Sequence, residues 1–125
     1  MTIQQAIEIV DKAEVNTYPT TAKIAWLSKL DEKIWREVFL THEGHECETF
    51  TGYTPETNQD TVLLVPTPDD EDIYINWLEA FIHKNNGEMG KYNQSVALFN
   101  YAYDEFKNFY NRTHMPIGKA RKFDF

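Results

Sequence analysis

A regular stripe of aromatic and aliphatic residues between positions 92 and 110 constrains the fold most strongly. Its members follow one another at steps of four, three, four, three and four: Tyr92, Val96, Phe99, Tyr103, Phe106 and Tyr110. This spacing keeps apolar side chains on one face of an α-helix and predicts tight packing against another helix. We therefore expect a helix from about Met89 to Asn111. Three further residues should widen its apolar face: Leu98, Ala102 and Phe109.

Apolar residues at helical spacing predict three more helices upstream of this one. The first should begin with a capping box formed by Thr2 and Gln5 and end near position 14. A second should span about 20–42, and a third should follow the acids at 69–72 and end near position 87. We expect a mainly α, single four-helix domain covering residues 1–125, in which the last two helices form an antiparallel hairpin.

Two segments of the chain show no helical period. Residues 44–68 form a long acidic connection between helices two and three, in which 50–53 and 61–65 should be short strands or extended segments. A connection this long is well above the usual loop length, and such loops tend to be functional, mobile or engaged with a partner. Residues 113–125 form a basic C-terminal tail that contains aromatic residues.

The charge is unevenly distributed along the chain. The formal net charge is -8, and residues 37–83 contain eleven acids but no Lys or Arg. The tail carries Lys119, Arg121 and Lys122, so patches of opposite charge could attract each other on neighbouring copies. We expect no sequence-specific nucleic-acid binding, because phosphate binding needs a continuous basic face. We also expect no membrane insertion, since no apolar run approaches the roughly 18 to 20 residues of a membrane span.

Asp31 is the polar residue that stands out in the second helix. Its side chain projects into a stripe of apolar residues: Ile24, Leu27, Leu30, Ile34, Trp35 and Val38. An unpaired charge there would be costly. One interpretation is a buried switch or catalytic carboxylate. We favour the other, a structural carboxylate bonded to a Tyr, Trp or Arg from another helix.

The stretch THEGHEC concentrates potential metal ligands at His42, His45 and Cys47. All three come from one segment, the H-E-x-x-H order of metalloproteases is missing, and Gly44 should end the helix there. We therefore favour a helix terminus with polar residues over a metal site, and we expect no metal and no cofactor. The enzyme alternative, which we do not favour, would use these three residues with a metal ion.

Exposed aromatic and basic residues are the candidates for contact with a partner. Tyr101 projects from the polar side of the fourth helix, opposite the apolar stripe. The other candidates lie in the long connection and in the tail: Phe50, Tyr53, Arg121, Lys122, Phe123 and Phe125.

The second half of the chain resembles a known class of phage protein. Residues 63–112 combine an apolar segment ending in proline, a helix opened by acids, an Asn-Gly-Glu turn and a final helix. Their sequence is LLVPTPDDEDIYINWLEAFIHKNNGEMGKYNQSVALFNYAYDEFKNFYNR. The residues that carry the resemblance include Tyr74, Leu78, Tyr92, Asn93, Phe99, Asn100, Tyr103, Phe106, Tyr110 and Arg112, together with Trp26, Leu27, Leu30 and Asp31. In these positions the chain is similar to small prophage-encoded proteins of the head-to-tail connector of tailed bacteriophages. The THEGHEC stretch has no place in that pattern.

The resemblance implies a structural, non-enzymatic subunit that assembles as a ring between portal and tail. Its implied partners are further copies of itself and the phage portal and tail proteins. It would be found in the virion after assembly and in the bacterial cytoplasm when expressed. The alternative is a non-enzymatic binding or regulatory module of a prophage that acts on one protein partner through its long loop.

Overall fold

The computed structural model describes residues 1–42 and 48–114. Four α-helices follow one another along the chain: α1 (Ile3–Ala13), α2 (Thr20–Ile34), α3 (Asp70–Asn86) and α4 (Met89–Thr113). The helices α3 and α4 share the most extensive contact and form a hairpin through the short turn at residues 87–88. The expected mainly helical, four-helix domain is thereby confirmed.

The ends of α1 and α3 follow from local sequence chemistry. The Thr2 hydroxyl accepts a hydrogen bond from the Gln5 backbone N–H at 3.2 Å, and the Gln5 side chain accepts from the Thr2 N–H at 2.9 Å. The predicted capping box is therefore confirmed. Gly87 ends α3 in the left-handed conformation with φ of +77°, which glycine adopts without steric cost.

The second helix differs from the prediction of one uninterrupted α-helix over 20–42. The α-helix ends at Ile34 and continues as a π-helical turn, Trp35–Phe39, closed by a 2.9 Å hydrogen bond from Leu40 N–H to the Trp35 carbonyl. Trp35 and Phe39 on this turn are both buried in the core, each with 8% exposure. The spacing of apolar residues does not signal a π-turn, which occurs mostly as a single turn within an α-helix.

The predicted stripe on α4 forms part of one aromatic core. Four of its members are buried: Phe99, Tyr103, Phe106 and Tyr110. They pack with the apolar faces of α1, α2 and α3, which include the buried residues Ile3, Val10, Leu27, Leu30, Tyr74 and Ile82. The expected widening of the stripe by Leu98 and Phe109 is wrong, since these side chains are 50% and 48% exposed.

The described part of the long connection, residues 48–68, lies against the helices. Residues 61–65 run beside the N-terminus, where Ile3 N–H donates to Thr61 O at 3.1 Å and Leu63 N–H donates to Met1 O at 2.9 Å. Leu63 and Val65 are buried while Val62 is exposed, as an extended segment with alternating sides requires. An isolated antiparallel bridge joins Thr2 and Val62, and residues 50–53 form no strand.

Candidate functional site

A buried carboxylate joins three separate parts of the chain. Asp31 on α2 is 0% exposed. Its Oδ1 accepts a 2.6 Å hydrogen bond from the Tyr74 hydroxyl of α3. Its Oδ2 accepts a short hydrogen bond from the Tyr53 hydroxyl and a 3.2 Å bond from the Leu64 N–H, both in the long connection. Tyr74 also accepts a 2.9 Å bond from Val65 N–H, so its hydroxyl bridges the helix and the connection.

Burial governs the electrostatics of this network. Desolvation raises the pKa of Asp31, and the hydrogen bonds from Tyr53, Tyr74 and Leu64 oppose that rise. Desolvation and the neighbouring carboxylate raise the pKa of both tyrosine hydroxyls, which therefore remain donors at neutral pH. Because Asp31 has no exposed surface and is held by three donors, the arrangement fixes the connection on the helices and offers the carboxylate to no substrate.

Of the three predicted metal candidates, His42 lies within the described residues. His42 is buried, with Nδ1 2.6 Å from the Val38 carbonyl and Nε2 2.6 Å from Asn111 Oδ1. Both ring nitrogens therefore have hydrogen-bond partners, and the residue links the end of the second helix to α4. His45 and Cys47 lie outside the described residues.

The outer face of α4 carries a line of exposed apolar side chains. Leu98 is 50% exposed, Tyr101 67% and Phe109 48%. At 100° per residue they lie within an arc of about 80° and extend over about 17 Å along the helix. Glu105 belongs to the same face, and its hydrogen bond with the Tyr101 hydroxyl raises the pKa of Tyr101. This face holds three of the four large hydrophobic side chains that the described part of α4 leaves exposed.

The other predicted contact residues are placed differently from Tyr101. Phe50 and Tyr53 are half-buried and pack against the core, with their ring centroids 5.4 Å apart. Tyr53 also donates its hydroxyl to Asp31, so both side chains are poorer candidates for partner contact than Tyr101. Arg121, Lys122, Phe123 and Phe125 lie outside the described residues.

An acidic groove of about 380 Å³ adjoins this face at the start of α3. It is lined by Pro68, Asp69, Glu105, Asn108, Phe109 and Arg112. Desolvation raises the pKa of Asp69, and the nearby charges of Glu105, Asp70 and Asp72 raise it further. Carboxylates that repel one another in this way are stabilised by an approaching cationic group.

Two features escaped the sequence analysis. The carboxylates of Glu14 and Glu79 lie beside the ring of His83, which the sequence presented as an isolated histidine. The i,i+4 spacing of Glu79 and His83 on one helix was the available signal. A second, apolar groove of about 210 Å³ is lined by Lys33, Trp77, Ala80, Phe81, Lys84, Tyr92, Val96, Phe99 and Asn100.

Comparison of the chain with protein-family models, with curated proteins and with solved structures finds no match. Within the described residues, no helix combines the length and the apolar character needed to cross a membrane.

Proposed function

We propose that the protein is a structural, non-enzymatic subunit of the head-tail connector of a tailed bacteriophage. In this function it assembles as a ring between portal and tail, and it occupies the virion after assembly in the bacterial cytoplasm. The observation that carries the proposal is the exposed apolar face of α4, defined by Leu98, Tyr101 and Phe109. The resemblance of residues 63–112 to connector proteins supplies the kind of assembly.

The apolar face supports assembly because its side chains are aligned. Single exposed hydrophobic residues are ordinary on protein surfaces and need no explanation. Three large ones lie along one helix face here, and exposed apolar side chains that cluster on one surface favour protein interaction. Tyr101 is well suited to such a contact, since an aromatic ring with a polar tip contributes both apolar area and a hydrogen bond.

The charge of the neighbouring groove supports a second copy of the chain as the occupant. A ring of identical subunits needs head-to-tail contacts, in which one patch meets a different patch on the next copy. The groove beside Phe109 presents two carboxylates, Asp69 and Glu105, and one cation, Arg112. The tail sequence offers Lys119, Arg121 and Lys122. Opposite charges on two such surfaces favour encounter of neighbouring copies and fix their orientation.

The buried network supports a structural role for the long connection. Asp31, Tyr53 and Tyr74 hold residues 53–65 against the helices, so the described part of this segment is anchored at several points. A subunit that contacts portal and tail on different sides benefits from such a fixed connection, because interface residues then lose less conformational freedom on assembly.

The proposal is tested by measuring mass with light scattering on a sizing column. The protein is mixed with the portal and tail proteins encoded beside its gene, and a discrete large complex is expected. Leu98→Glu should abolish that complex. Met89→Glu is the matched control, because Met89 is 54% exposed and lies on the opposite side of α4.

Two results would contradict the proposal. The first is a protein that remains a small species with every neighbouring gene product; a single dominant host protein in a pull-down would then favour the binding-module alternative. The second is equal loss of the complex in Leu98→Glu and Met89→Glu, which would remove the α4 face as the contact surface.

A further inference from the structure

A group of ionisable side chains lies where α1 ends and α3 turns into α4. His83 is buried with 3% exposure. Its Nε2 lies 3.6 Å from Glu14 Oε1, and its Nδ1 lies 3.4 Å from Glu88 Oε1. Glu79 precedes His83 by one helical turn, and one ligand atom from each of Glu14, Glu79 and His83 lies within 4.8 Å of the others.

The two ring nitrogens of His83 cannot both be satisfied by a neutral imidazole. A neutral ring carries one N–H and can donate to only one of the carboxylates of Glu14 and Glu88. Its other nitrogen then directs a lone pair at a carboxylate oxygen, which is repulsive. A cation between Nε2 and the oxygens of Glu14 and Glu79 removes this conflict, and a second proton on the ring is the rival solution.

The charge around His83 favours an additional cation. Glu14, Glu79 and Glu88 place three carboxylates around this ring. Lys91 Nζ lies 3.2 Å from Glu88 Oε2. With a neutral His83 ring, the three carboxylates and Lys91 leave two negative charges in excess. A divalent ion would balance them.

We propose that Glu14, Glu79 and His83 bind a divalent transition metal ion of the zinc class, with Glu88 as a positioning residue. Imidazole nitrogen and carboxylate oxygen are ligands that Zn²⁺ accepts, and three protein ligands leave a fourth position for water. Glu88 accepts from Nδ1–H of His83 and so directs the Nε2 lone pair towards the metal. This carboxylate–histidine–metal arrangement is common in proteins.

Metal binding would draw together three ligand atoms that now lie within 4.8 Å of one another. Ligand atoms bound at about 2.0–2.1 Å in tetrahedral geometry lie about 3.3 Å apart. Glu14 Oε1 already lies 3.6 Å from His83 Nε2, and the side chain of Glu14 is 33% exposed and free to adjust. Glu14 follows the last turn of α1 with an extended backbone, φ of -132°, so helical packing does not restrict its rotamer.

The metal would join the end of α1 to α3 and, through Glu88, to the turn before α4. This role does not depend on the proposed function in phage assembly. It departs from the expectation of no metal and no cofactor, which was argued from the THEGHEC stretch.

Calorimetric titration of tag-free, chelator-treated protein with Zn²⁺ tests the proposal. We expect one Zn²⁺ per chain. Glu79→Gln should weaken binding at least tenfold, and Glu88→Gln about tenfold, as loss of a carboxylate behind a histidine ligand does. Cys47→Ser is the matched control and should bind as the unaltered protein does, which separates this site from the THEGHEC stretch. Circular dichroism of each variant establishes that it is folded.

Absorption of the Co²⁺ form gives an independent readout. Visible bands without a thiolate charge-transfer band are expected, because the proposed ligand set contains no sulfur. Zn²⁺ binding that survives in folded Glu79→Gln and is lost in Cys47→Ser would overturn the proposal. So would an absence of Zn²⁺ binding by the folded, unaltered protein.

Discussion

Removal of one hydroxyl group, in Tyr74→Phe, should destabilise the protein by about 3 kcal/mol. The hydroxyl donates to the Asp31 carboxylate at 2.6 Å and accepts from the Val65 N–H at 2.9 Å. A hydrogen bond to a charged group contributes about 1.5–3 kcal/mol, and a buried N–H left without a partner costs about 1–3 kcal/mol. The lower part of the summed range applies, because Asp31 keeps its bonds from Tyr53 and Leu64.

Urea unfolding followed by circular dichroism measures this loss. With a slope near 1.5 kcal/mol/M, typical of a small domain, the midpoint should fall by about 2 M. Tyr103→Phe is the matched control: Tyr103 is also buried, but its hydroxyl has no hydrogen-bond partner among the described residues. Its removal should change the stability by less than about 0.5 kcal/mol or increase it. Equal losses in Tyr74→Phe and Tyr103→Phe would refute the assignment of the energy to the Asp31 network.

Three further measurements probe the same fold. The pKa of Asp31 is raised from its ordinary value of 3.8, so protonated Asp31 stabilises the fold below pH 3.8, and this stabilisation is lost as the pH rises through the raised pKa. The urea midpoint of the unaltered protein should therefore fall relative to that of Asp31→Asn as the pH rises from 4 to 7. A rise of the midpoint over this range would contradict the raised pKa. Gly52→Ala should cost about 1–2 kcal/mol in urea unfolding, because Gly52 has φ of +82° and an added Cβ would lie 2.5 Å from Glu32 Oε1 and 2.7 Å from Ser28 Oγ. Gly90→Ala on α4, where an added Cβ meets nothing within 4 Å, should stabilise by about 0.5–1 kcal/mol, and similar effects at both sites would contradict this reasoning. Thr2→Ala should lower the free energy of unfolding by about 1 kcal/mol through loss of the capping box, and no loss would show that the cap contributes nothing.

The helices could be predicted because their determinants are local. Spacing of apolar residues, the Thr2 cap and the Gly87 terminus act within one or two turns, and the structure follows them closely. The π-turn after Ile34 could not be predicted in this way, since it depends on how Trp35 and Phe39 fit against residues far along the chain.

The polar sites were predictable only in part. The helical period placed Asp31 in the core, where its buried carboxylate requires a hydrogen-bond donor. The Tyr74 hydroxyl on another helix is one such donor. The second tyrosine, Tyr53, comes from the irregular connection, whose path has no periodic signal. Glu14 and His83 meet only because α1 packs on α3, so their pairing is a property of the tertiary fold.

The Asp31 network and the group of ionisable side chains around His83 both hold α3 in place. Tyr74, near the start of α3, is tied to α2 and to the connection, while His83, near its end, is tied to α1 and to the turn before α4. α4 packs along α3 and turns its outer face away from both sites. Substitutions on that face, such as Leu98→Glu, should therefore abolish assembly and leave the urea midpoint unaltered. Tyr74→Phe should instead lower the urea midpoint and leave assembly unaltered. If Leu98→Glu lowered the urea midpoint as well as abolishing assembly, the outer face of α4 would contribute to folding and would be unsuited to serve as a contact surface.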